Sequence, residues 1–178
     1  YVLDDTGPFI LLKNLTLRFS FEKELKDDLI TYERYLIKDG DTPENLAYRF
    51  YGSSEKHWII LLMNDIIDPF FDWPLDTNIF NSFVNDKYLP NVTSERNGIE
   101  WAKYNTHSYY KIITTTYDKT TRIIYLQVDL DQYNSIANES NVIALADGSS
   151  VTETIGKGKK SYYDYENELN ESKREIKI

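Results

Sequence analysis

Apolar and polar positions change period several times along this chain, and each change predicts an element. Leu15-Thr16-Leu17-Arg18-Phe19-Ser20-Phe21 alternates with period two and reads as extended, as does Phe9-Ile10-Leu11-Leu12. Glu22 to Asp28 is charged and suits a loop or helical turn, and Leu29 to Ile37 leads into a strand at Tyr35-Leu36-Ile37. The chain then reverses at Asp39-Gly40-Asp41, residues that tolerate φ > 0. Thr42 is an N-cap, Pro43 fits the first helical position, and Leu46, Ala47, Phe50 and Tyr51 recur at helical spacing until Gly52 supplies a left-handed stop. Ser53 or Ser54 can cap a second helix carrying Trp58, Ile59, Leu61, Leu62 and Met63, an apolar surface so broad that the helix is expected to be buried. It runs out near Asn64-Asp65, before Pro69.

Beyond this stretch, Asp76 or Thr77 caps a short helix with an apolar stripe of Ile79, Phe80, Phe83 and Val84, expected to dock on the preceding helices. Asn97-Gly98 is a turn signal. Two β-rich runs, Tyr109–Thr116 and Arg122–Val128, flank Tyr117–Thr121 and predict a β-hairpin. Residues 129–150 read as loop or excursion, with a turn at Asp147-Gly148-Ser149. Val151–Ile155 suits a strand, and Gly156-Lys157-Gly158 a flexible joint. The tail from Ser161 carries a capping-box pattern, with Tyr162, Tyr165, Leu169 and Ile176 at near-heptad spacing, and suits an amphipathic helix or ordered arm.

The order of turn, helix, Tyr51-Gly52, tryptophan helix and Asn64 resembles the LysM module, in which two helices pack on a two-stranded sheet. The chain departs from that pattern where a glycine, a short strand and Ile-Pro would follow: Phe70-Phe71-Asp72-Trp73-Pro74-Leu75 stands there instead. A wider resemblance rests on YGSSEKHWIILLMNDIIDPFFDWPL, FNSFVNDKY, WAKYNTHSYYKI and the terminal YYDYENELNESKREIKI, occurring in that order. On these the chain resembles the baseplate wedge protein 53 family of contractile-tailed, T-even-like bacteriophages. The resemblance implies a structural virion subunit, assembled in the host cytoplasm, that binds other wedge proteins of the same and adjacent wedges and helps close them into a ring.

The fold expected is α+β: residues 1–34 an N-terminal arm, 35–90 the LysM-like β-α-α module with its docking helix, 91–158 a β-rich region with the hairpin, and 159–178 a C-terminal helix or arm. Trimming the tail from Ser161 would then spare the module and weaken wedge joining.

Net charge is −9, which argues against a sequence-independent nucleic-acid or anionic-membrane surface. No apolar run approaches the ~20 residues that span a bilayer, and the given N-terminus lacks the pattern of a signal peptide, so a soluble, unsecreted segment is expected. With no cysteine, disulfides and thiolate metal sites are excluded. Fifteen tyrosines suit protein interfaces, because a phenol buries area while its hydroxyl still finds a partner.

No nucleophile–base pair, carboxylate pair or metal set stands out, so neither an enzyme nor a cofactor is expected. His57, beside Trp58, suits a capping or packing role, and His107 lacks spaced partners for a metal. Asp65, Asp68 and Asp72 miss the glycine and terminal glutamate of a calcium loop and read as helix and turn terminators. Candidate interface residues are Phe70, Phe71, Trp73, Tyr109, Tyr110, Tyr162, Tyr165, Leu169, Arg174 and Ile176. Phe70, Phe71 and Trp73 are either exposed anchors for a partner or part of the module's own core. The LysM resemblance implies a groove between Asp39, Gly40, Asp41, Thr42, Pro43 and, opposite, Ile66, Ile67, Asp68, Pro69 and Phe70. Glycan binding there is the alternative function, disfavoured because the same residues start and stop helices whether or not a sugar binds.

Overall fold

A computed structural model describes residues 20–27, 32–93, 97–146 and 148–178. The extended segments expected within residues 9–19 lie outside the described residues. The fold is mixed α+β, and the chain divides into two compact units: Tyr1–Pro74 together with Arg174–Ile178, and Leu75–Lys173.

The first unit contains α1 (Lys23–Asp27), β1 (Arg34–Leu36), α2 (Pro43–Tyr51), a 3-10 turn at Ser54–Lys56, α3 (His57–Met63) and α4 (Pro69–Asp72). Local sequence explains most of it. Thr42 Oγ1 accepts the Asn45 amide at 3.2 Å, Pro43 sits in the first turn, and Gly52, at φ 71°, donates to Tyr48 O to close α2. The next helix begins differently from expectation. Ser53 makes no side-chain cap, and the 3-10 turn precedes α3, with His57 Nδ1 3.0 Å from Ser54 O. Nor is α3 buried all round: Ile60 is enclosed, while Trp58 is exposed.

The element that closes this unit comes from the far end of the chain. Where the LysM pattern would have a strand after the second helix, Phe70-Phe71 lie in α4. The place beside β1 is taken by the C-terminal strand, Glu175–Lys177, which pairs antiparallel with β1 in the register Arg34↔Lys177, Tyr35↔Ile176, Leu36↔Glu175. Glu33 and Ile178 exchange both backbone hydrogen bonds at 2.8 Å, and Ile37 N–H donates to Arg174 O at 2.9 Å. Ile176 is only 3% exposed and joins Ile37, Leu46, Ala47 and Ile60 in one core, against which Tyr35, Tyr51, Trp73 and Ile178 pack. Burying an isoleucine is worth about 1.5–3 kcal/mol, so this short strand anchors as well as pairs. The expected arm over residues 159–178 is therefore interrupted. Its helix ends at Glu171, and Ile176 belongs to a strand rather than to a heptad.

The second unit is built from α5 (Thr77–Tyr88), a 3-10 turn (Leu89–Asn91), α6 (Gly98–Tyr104), β2 (Thr106–Tyr117), β3 (Thr120–Val128), α7 (Leu130–Ser135), β4 (Glu139–Ala144), β5 (Ser150–Ser161) and α8 (Tyr162–Glu171). The C-terminal strand of the first unit is β6 in this numbering. The hairpin forms as expected, turning at Asp118-Lys119 with Asp118 at φ 51°. It is the centre of something larger: β5 pairs along β2 and β4 along β5, giving an antiparallel sheet of order β3-β2-β5-β4. Residues 129–150, expected as loop or excursion, supply α7 and β4. An Asp129/Gln132 capping box starts α7.

The two glycines expected as a joint lie inside β5, where Gly156 pairs with Ile112 and Gly158 with Tyr110. A Cβ on Gly158 would stand 2.9 Å from Ile112 Cδ1, so the glycine makes room for a side chain rather than a hinge.

The second core consists of Phe80, Val84, Tyr88 and Ala102, with Leu75, Ile99, Trp101, Tyr162 and Tyr163 against it. Asn97-Gly98 starts α6 instead of a simple turn: Asn97 Oδ1 accepts Glu100 N–H at 2.8 Å, and Gly98 N–H donates to Asn85 Oδ1 at 3.0 Å. A Cβ at Gly98 would fall 2.1 Å from Asn85 O and 2.8 Å from Leu89 N, both backbone atoms. Replacing Gly98 by alanine is therefore expected to destabilise the second unit by about 3 kcal/mol, the upper end of ordinary overpacking. Thermal unfolding followed at Trp101 checks this; an unchanged midpoint would contradict the close approach.

Candidate protein interface

Short helix α4 presents the most exposed large hydrophobic side chains among the described residues of the first unit. Phe70 is 88% exposed and Phe71 75%, with Ile67 beside them at 63%. Their backbone is fixed from both ends. Asp68 Oδ1 accepts Phe70 N–H at 3.0 Å, and Asp72 Oδ2 accepts the amides of Ile67 and Asp68, each at 3.1 Å. Pro69 removes one amide that would otherwise need a partner. The aspartates thus terminate and cap, as the sequence indicates, and they hold an apolar knob in one orientation.

Trp73 takes the other of its two readings. It packs against the first core and donates from Nε1 to Asp41 O at 3.0 Å. Two more interface candidates are likewise engaged within the first unit, correcting their reading as arm residues free for a partner. Ile176 lies in the core, and buried Arg174 donates to Ile37 O at 3.2 Å and to Asp39 Oδ1 at 2.9 Å.

The groove residues serve the same unit. Gly40, at φ 87°, makes the turn; Asp41 Oδ2 accepts Lys38 N–H at 2.9 Å and the Tyr35 hydroxyl at 2.8 Å; and Asp41 Oδ1 accepts from Arg49 at 3.2 Å. Desolvation pushes the Asp41 carboxyl up, but the Lys38 amide, the Tyr35 hydroxyl and the Arg49 guanidinium outweigh it and hold the group below the usual carboxylate value. Thr42 caps α2, Pro43 is buried, and Ile66 N–H bonds Leu61 O at 2.9 Å.

In the second unit the aromatic candidates separate by face. Residues paired directly across an antiparallel sheet share a face. On one face Tyr109 packs on Tyr133 of α7, ring centroids 4.8 Å apart. On the opposite face Tyr110, Ile112, Tyr125 and Gly158 line a cleft of about 640 Å³ with Lys159, Lys160 and, from α8, Asp164 and Glu168. Ser108 Oγ donates to Tyr110 Oη at 2.9 Å, and Lys160 pairs with Glu168. Tyr162 packs in the second core beside Tyr88 and Trp101, and Tyr165 stacks on His107 at 3.9 Å. Leu169 is exposed.

Ile123, Tyr125 and Leu126 on β3, and Val142 and Ile143 on β4, are also exposed, so both outer strands carry apolar side chains at the surface.

Sequence reasoning missed three polar links. Asn64 donates from Nδ2 to Lys177 O and accepts Lys177 N–H at Oδ1, both at 2.7 Å, and so continues the sheet with a side chain. Asn170 does the same to Leu75, at 3.0 Å to its carbonyl and 2.7 Å from its amide. Glu166 accepts from Tyr88 Oη and Lys87 Nζ at 2.7 Å each; burial, then this carboxylate, drives the Tyr88 hydroxyl far above the usual phenol value. Each is a lone polar residue with distant partners, leaving no local signal.

The family model for base plate wedge protein 53 matches residues 11–178. The chain belongs to that family. Over 39 residues, 22% of this chain, it is 41% identical to baseplate wedge protein gp53 of Enterobacteria phage T4, and the match spans only 20% of that relative's length. No solved structure matches significantly. Membership in the base plate wedge protein 53 family makes the chain a structural component of the phage tail baseplate and hence of the virion. Among the described residues no helix is long and apolar enough to cross a membrane.

Proposed function

We propose that this wedge protein joins neighbouring subunits of the baseplate, contacting other wedge proteins of its own and adjacent wedges and helping to close the wedges into a ring. The observation that carries this reading is the knob of Phe70 and Phe71, exposed yet held rigid by Asp68 and Asp72. Leaving large rings in water is costly, and fixing them in advance removes ordering entropy from the binding step. Tyr125, Ile123 and Val142 on the outer strands offer further apolar area, and charged rims would set register. Contacts that are weak one at a time become strong when several are made around a closed ring. No catalytic step enters.

The alternative, a glycan-binding module using residues 39–43 and 66–70, gains less support. Its Asp39, Asp41, Thr42 and Asp68 side chains already accept hydrogen bonds from their own unit. The purified chain should be mixed with the other baseplate wedge proteins and, separately, with soluble peptidoglycan fragments. Co-purification with wedge proteins alone is expected; retention of glycan without wedge proteins would overturn the reading.

A further inference from the structure

Unit one is completed by five residues that reach it only after the chain has passed through unit two. The slot that receives them reads an extended segment in four ways. Backbone groups of Glu33 and Ile37 pair with Ile178 and Arg174, and Asn64 brackets the peptide groups of Lys177. The core takes Ile176, with Ile178 packed against it, and Ile37 O with Asp39 receives the Arg174 guanidinium. Every contact is made to residues 174–178, and none requires that the preceding helix belong to the same chain.

The ends of unit two are fastened within unit two itself. Asn170, near the end of α8, holds both backbone groups of Leu75, so the first and last parts of unit two are fastened together without β6. Between them and the strand lies only the turn after α8, where Ser172 N–H bonds Glu168 O at 2.9 Å and Lys173 N–H bonds Asn170 O at 3.2 Å. Changing the path of two or three residues there would redirect the whole strand.

We propose that the slot is a strand-acceptor site whose occupant in the assembled baseplate is the C-terminal segment Arg174–Ile178 of a neighbouring copy of this chain. Exchange replaces each contact by an identical one, so no pairing or burial is lost. The balance is set by the effective concentration of the neighbour's tail and by the strain of the short connection. A head-to-tail exchange would then link successive copies through main-chain hydrogen bonds as well as through side chains. This inference rests on the wedge-joining reading, and its test separates the two.

Because the chain has no cysteine, a single engineered pair reports the source of the strand. Leu36 and Glu175 face each other without exchanging backbone hydrogen bonds, a pairing with Cα atoms about 4.5 Å apart, within disulfide range. Full-length Leu36→Cys and Glu175→Cys single variants would be co-assembled with the other wedge proteins, then oxidised and run on a denaturing, non-reducing gel. No disulfide at this site can form within one chain in that mixture. Disulfide-linked dimers containing one of each variant are expected. Incorporation into baseplates without such dimers would overturn strand exchange while leaving wedge joining intact. Failure of the unmodified chain to enter baseplates would instead overturn wedge joining. The Arg34→Cys and Lys177→Cys pair, at the next equivalent register position, repeats the measurement should either first variant fail to fold.

Discussion

Removing Arg174–Ile178 is expected to unfold the first unit of the isolated chain while the second unit keeps its own cooperative transition. The deletion takes away every β1–β6 hydrogen bond, both bonds of the Asn64 side chain to Lys177, and the Arg174 contacts with Ile37 and Asp39. It also empties the position of Ile176 in a core that, among the described residues, has five buried members. Truncating a buried isoleucine to alanine alone costs roughly 2–5 kcal/mol, a large part of the ~5–15 kcal/mol that holds a typical domain together. Ile176→Ala should therefore weaken the unit severely, and the deletion should abolish it. Trp73 reports on the first unit and Trp101 on the second, so variants keeping one tryptophan at a time resolve the two transitions by fluorescence. A first unit that melts normally without residues 174–178 would show that β6 is dispensable. Unfolding on deletion would reverse the expectation that the tail can be trimmed from Ser161 without harm to the module.

Replacing Phe70 and Phe71 together by alanine should have the opposite signature: assembly fails while the fold persists. Both rings already face water, and surface changes remote from caps and cores usually stay within about 0.5 kcal/mol. The Asp68 and Asp72 hydrogen bonds are to backbone amides and survive the substitution. At an interface, a well-packed aromatic anchor is worth about 2 kcal/mol or more, or roughly 30-fold in affinity for each ring lost. Thermal unfolding should thus be unchanged, with wedge incorporation down by about three orders of magnitude if the two effects add. Normal incorporation of the double variant would remove the knob from the interface. Trp73→Ala is the internal control, since that side chain packs on the core and should lower stability first.

What the sequence determined by itself is local. Thr42, Pro43 and Gly52 fix the ends of α2 because a cap, a preset φ and a left-handed stop act within a few residues. The β2–β3 hairpin follows from two β-rich runs close enough to pair across one tight turn. Asp68 and Asp72 set the ends of α4 by the same short-range logic, and the family resemblance placed the chain in the baseplate.

The tertiary structure decided what depends on partners far along the chain. Glu175–Lys177 has no periodicity long enough to read, and it becomes a strand only because β1, Asn64 and a gap in the core await it; Arg34 and Glu175, paired at 2.9 Å, stand 141 positions apart. Gly158 suggests freedom in one dimension and close packing in three, since the neighbour Ile112 arrives from another strand. Among Phe70, Phe71 and Trp73, hydrophobicity is the same kind of signal for all three. Which ring faces the core is settled by how α4 turns on its caps, and that leaves Phe70 and Phe71 exposed and Trp73 packed on the core.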